Sequence, residues 1–155
     1  MCKYLLLLLA LLSTPCLASF QTEWTLYRNA QVPLVGYPSG AWHWPGIAFS
    51  ASTFQLYAHL DLSIDTCRFA YSFNPQSGPS PTGLRLVALD MGSVVPLATA
   101  LIPNRQTPTS GGVDITHQIK WLLNNQRGVT LALQTVGNGS AGPLIYHAVV
   151  ECTWY

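Results

Sequence analysis

A chain of 155 residues with seven Lys or Arg against six Asp or Glu has a formal charge of +1, and charged side chains make up only 8% of it. That near-neutrality argues against nucleic acid or an anionic membrane as the main partner, because both are held by a basic surface. The length and a 49% hydrophobic content suit one domain with a real core, kept soluble by its plentiful Gly, Pro, Ser, Thr, Asn and Gln.

Residues 1–18 read as a signal peptide. Lys3 supplies a small basic region, residues 5–12 are an unbroken apolar run, and Cys16-Leu17-Ala18 puts small residues at a cleavage site. The run is short for a membrane span, a retained signal anchor being the alternative, and no second hydrophobic segment of membrane length follows. Residues 19–155 are therefore expected to be a single secreted domain, extracellular, or periplasmic in a bacterium. Without Lys3 the basic count falls from seven to six and matches the six acids. Cys2 and Cys16 leave with the signal, so Cys67 and Cys152 remain as one pair. In an oxidising compartment a disulfide is expected, the alternative being two buried thiols. The bond would close a loop of more than eighty residues, worth about 4 kcal/mol in the chain-entropy model. Asn138-Gly139-Ser140 is an N-glycosylation sequon in a Gly-rich turn.

Residues 23–32, with Trp24 and Leu26, make a plausible first strand. Residues 33–45 are crowded with turn residues and aromatics, and residues 46–50 could form a short strand. From Phe54 the pattern alternates: Phe54, Leu56, Ala58, Leu60, Leu62 and Ile64 face one way and polar residues the other. Cys67, Phe69, Tyr71 and Phe73 mark the next strand, and residues 74–83 a loop. Residues 84–90 and 94–102 pair across a tight turn, with Pro96 predicting an edge position or a bulge. Residues 103–112 read as a second loop. A helix near 116–125 follows, with Asp114 and Thr116 as capping residues and Ile115, Ile119, Leu122 and Leu123 on one apolar face. Trp121 is expected beneath the sheet, and Trp24 and Trp154 in the core. Residues 129–134 and 144–154 alternate as the closing strands, and Cys67 and Cys152 share inward parity. Short strands with turns between them predict an all-β, jelly-roll-like β-sandwich with one short helix.

From Val113 onward, VDIT, a helix ending WLLNN and a GVTLALQT strand resemble secreted jelly-roll modules, the carbohydrate-binding-like domains named for their DNRLRE signature, and related propeptide-type sandwiches. The match falls on Val113, Asp114, Ile115, Thr116, Trp121 and residues 129–134, and HLDLS at 59–63 looks like a further strand of those modules. The resemblance covers about a third of the chain. It implies a jelly roll and polysaccharide binding, and it carries no binding residue over by position.

His43, His59, His117 and His147 lack metal-ligand spacing, and Asp61, Asp65, Asp90 and Asp114 are dispersed. No nucleophile elbow is present, so no catalytic residue and no cofactor are expected, with a polysaccharide hydrolase as the remaining enzymatic alternative. The candidate surface is YPSGAWHW. Tyr37, Trp42 and Trp44 could form a platform for sugar rings or an anchor for a protein partner. The competing reading has these rings plugging the open end of the sandwich. Arg28, Arg68, Arg85 and Arg105 are scattered and form no stripe. The function expected is non-enzymatic recognition of a glycan or an extracellular protein. The alternative is an assembly subunit of an envelope, sheath or coat, in which the chain would form oligomers.

Overall fold

The computed structural model describes residues 19–31, 40–44, 53–57, 63–75, 81–90, 93–102, 107–125, 128–137 and 142–155. Eight strands and one helix lie among them: β1 (Phe20–Gln31), β2 (Thr53–Tyr57), β3 (Ile64–Asn74), β4 (Thr82–Asp90), β5 (Ser93–Ile102), β6 (Thr109–Asp114), α1 (Thr116–Asn125), β7 (Gly128–Val136) and β8 (Leu144–Trp154). They form two antiparallel four-stranded sheets, ordered β1-β8-β3-β6 and β2-β7-β4-β5. The protein is an all-β sandwich, as the alternation predicted. The pairs β1·β8, β2·β7, β3·β6 and β4·β5 are nested.

Alternation decides what each strand buries. Phe69, Phe73, Ile145 and Val150 from one sheet meet Leu84, Leu86, Leu131 and Leu133 from the other in a single core. Helix α1 touches β3 of the first sheet and β7 of the second, and it inserts Ile119 and Leu122 into that core, joined by Ile115 just before its first residue. The capping expectation holds for Asp114, whereas the Thr116 hydroxyl is turned to the Cys67 backbone. Oδ1 of Asp114 accepts the Thr116 N–H at 2.9 Å, and the Ile115 carbonyl accepts the Ile119 N–H at 3.0 Å.

Cys67 and Cys152 face each other in register on the neighbouring strands β3 and β8 and form a disulfide, with Cα atoms 4.2 Å apart. The staple therefore lies within one sheet. Such close Cα atoms mark a pair that exchanges no ladder hydrogen bonds. The Cys67 backbone is instead bonded toward α1: its N–H donates to Oγ1 of Thr116 at 2.7 Å, and its carbonyl accepts from the Ile115 N–H at 2.9 Å.

Several boundaries differ from the sequence reading. Ile64, read as the end of the run from Phe54, begins β3, and β2 is described over Thr53–Tyr57. The strand expected at 46–50 lies outside the described residues. β6 occupies the end of the segment read as a loop, because TSGGVD has little alternation to reveal it. Its glycines have a steric reason: a Cβ on Gly111 would sit 2.7 Å from the Tyr71 hydroxyl, and the Arg68 guanidinium lies across Gly112. β5 is an edge strand, and Leu97, beside Pro96, is the extra residue where its register with β4 shifts. Both possibilities offered by Pro96 are thus realised.

Trp121 is not packed under the sheet; it is 58% exposed. At 100° per residue it falls on the side of α1 opposite Ile115, Ile119 and Leu122. Trp154 is buried, with its Nε1 donating to Oγ1 of Thr22 at 2.8 Å. Trp24 is only partly buried, packed at the core's margin with its ring edge-on to Trp154, 6.4 Å between centroids.

Candidate functional site

The segment 40–44 reaches the sheet through β7. His43 forms an antiparallel bridge with Thr135, each backbone N–H donating to the other's carbonyl at 2.8 Å. Below this point β7 is paired with β2 over residues 128–132, and the segment lies along β7 beyond those pairs. Paired residues share a face. Thr135 is fully buried and pairs with the core residue Leu84, so His43 points inward and Trp42 and Trp44 project outward.

The outward face of β4 and β7 is read from the same alternation. Leu84 and Leu86 enter the core, which turns Arg85 outward; Leu133 enters the core, which turns Gln134 outward. Arg85 and Gln134 are opposite one another in the ladder, and Thr99 of β5 lies on the other side of Arg85. Nε of Arg85 donates to Oε1 of Gln134 at 3.0 Å, and Nη2 donates to the same oxygen. The guanidinium carbon stands 4.5 Å from the centre of the Trp42 ring, within cation–π range. Beneath the Trp42–Arg85 pair Gln134 is only 6% exposed, while Trp42 and Trp44 are partly buried. Burial lowers the Arg85 pKa from its ordinary value by desolvation; a guanidinium nonetheless stays charged at neutral pH.

Trp42 therefore lies over the outward face of a sheet, against Arg85, and alternation turns Trp44 to the same side of its segment. Tyr37 and the sequon residue Asn138 lie outside the described residues. Arg85 and Gln134 were missed as site residues because they are distant in sequence from the tryptophans and from each other. Their meeting depends on strand register, for which the sequence carries no local signal. The parity of Arg85 against Leu84, Leu86 and Ala88 does mark it as an outward cation, and that much was available.

The opposite sheet brings dispersed charges into one line: Glu23, Glu151, Arg68 and Asp114 are successive partners across β1, β8, β3 and β6. Among the described residues no group of His, Cys, Asp and Glu could hold a metal ion, and no helix is long and apolar enough to cross a membrane. No protein-family model matches the chain, and no curated protein matches it closely enough to count as a relative.

Proposed function

We propose that this is a secreted, non-enzymatic recognition protein that binds glycans through the outward face at Trp42, Trp44, Arg85 and Gln134. The observation that carries the reading is the stack of Arg85 on Trp42, braced by Gln134. Sugar recognition needs a flat apolar ring for the C–H face of a pyranose and planar polar groups beside it for the hydroxyls. Both are present here, and Gln134 and Trp42 hold the long Arg85 side chain in place before any ligand arrives. The nested strand pairs support a jelly roll, a fold that includes lectin domains. The resemblance of residues 113–134 to carbohydrate-binding-like modules agrees with it, as analogy.

The test is a titration of intrinsic tryptophan fluorescence with soluble oligosaccharides, repeated on a Trp42→Ala/Trp44→Ala variant. Binding by the wild type and its loss in a variant that melts within a few degrees of it support the proposal. If both single-alanine variants unfold, the two rings are structural and the site is wrong.

A second reading is favoured by β5. This ten-residue edge strand carries no charge, and Val94, Val95, Pro96 and Leu101 are exposed along it. Edge strands without charges invite pairing with another chain, which suits an assembly subunit of an envelope or coat. Oligomers that grow with concentration in light scattering, without any glycan binding, would select it.

A further inference from the structure

We infer that the ligand of this site is an acidic glycan, bearing a carboxylate or a sulfate, and that Arg85 is the residue that binds the anion. The inference rests on the glycan-recognition reading above and adds the chemical class of the ligand. Among the described residues Arg85 has no carboxylate partner; its contacts are the neutral amide of Gln134 and the ring of Trp42. A guanidinium carries five N–H donors in a rigid fork. Two are spent on Oε1 of Gln134, one from Nε and one from Nη2. The two on Nη1 and the second on Nη2 remain, and between them they form the end-on edge that grips two oxygens of a carboxylate or sulfate at once.

The surroundings point the same way. Across the ladder Arg85 is flanked by Gln134 and Thr99, along β4 by Gly83 and Val87, and the adjacent outward positions of β7 are Ala132 and Val136. None of these described neighbours is acidic, so among the described residues none competes for the cation or repels an incoming anion. A partly desolvated charge without a counter-charge is unfavourable in the free protein, and an anionic ligand relieves that cost. A neutral sugar would take up the Trp42 ring but leave the cation uncompensated. The exposed hydroxyl-bearing Thr99 stands beside the fork, suited to a neighbouring sugar hydroxyl.

The experiment compares matched pairs: polygalacturonate oligomers with their methyl esters, and sulfated galactan oligomers with their desulfated forms, by calorimetry at physiological salt. The full chain is assayed as wild type, Arg85→Gln, Arg85→Lys and, as a control cation away from the site, Lys120→Gln. The expected result is at least about tenfold tighter binding of one charged member than of its neutral counterpart, the size of effect a charge-assisted hydrogen-bond pair supplies. Arg85→Gln should reduce that preference to within about threefold, Arg85→Lys should weaken it in part, and Lys120→Gln should leave it intact. The pair that shows the preference distinguishes carboxylate from sulfate. Equal binding of charged and neutral members by the wild type overturns the inference while leaving glycan recognition in place. So does a Lys120→Gln loss as large as that of Arg85→Gln. Binding to neither pair also overturns it, and recognition itself is then decided by the wider oligosaccharide panel. The wild-type comparison needs no variant, so a misfolded Arg85→Gln protein does not remove the test.

Discussion

Asp114 shows how much one side chain does at the join between β6 and α1. The hydroxyl of Thr116 first, and its backbone N–H second, favour the charged carboxylate and hold its pKa below the ordinary value. A group whose folded pKa is depressed stabilises the fold above its unfolded pKa, and that contribution fades as pH falls through the folded value. Wild type should therefore melt above an Asp114→Ala variant at neutral pH, with the gap closing on acidification below the usual carboxylate range. Thermal melts at a series of pH values check this; a gap that is constant or widens in acid would refute it. Asp114 was readable as a cap because capping is local chemistry, set within two or three residues, whereas the Thr116 hydroxyl serves the Cys67 backbone across from it. Arg85 and Gln134 were not, since nothing near either residue names its partner across the ladder. Gly111 and Gly112 misled in the same way: side chains from β3 lie over them, a reason invisible in TSGGVD.

At the scale of the element, α1 separates what periodicity predicts from what residue type suggests. Ile115, Ile119 and Leu122 are buried as their spacing requires, whereas Trp121, assigned inward because tryptophan is large and apolar, is exposed. The wheel was the better guide. Ile119→Ala should cost about 2–5 kcal/mol through lost burial and the cavity left behind, and Trp121→Ala about 0.5 kcal/mol or less. Denaturant midpoints at unchanged slope measure both; a larger loss at Trp121 than at Ile119 would contradict the placement of the helix. The strands followed the same logic. β3, β4, β7 and β8 alternate strongly and were recognisable, while β6 has two glycines and almost no apolar face and was read as loop.

For the whole molecule, the disulfide joins β3 to β8, the two inner strands of one sheet. These strands are already in register in the folded state, so the bond acts chiefly by restricting the unfolded chain across 85 residues of separation. Replacing both cysteines with alanine should lower stability by roughly 2–5 kcal/mol while the β signature in far-UV circular dichroism persists. An unchanged unfolding midpoint would show that the bond is not formed in the protein in solution. Fold class was open to sequence reasoning because alternation is repeated along the chain and each strand confirms the others. The proposed site was legible only as far as the aromatic segment, since the cation and amide placed beside Trp42 come from β4 and β7.

The measurement that bears most directly on the central claim is a glycan-array and cell-surface binding screen of the purified protein beside its Trp42→Ala/Trp44→Ala variant. Glycan recognition at the outward face predicts saturable binding by the wild type and none by a variant with the same melting profile. Absence of binding by both, with discrete oligomers in solution, would contradict it and leave β5-mediated assembly as the account of this fold.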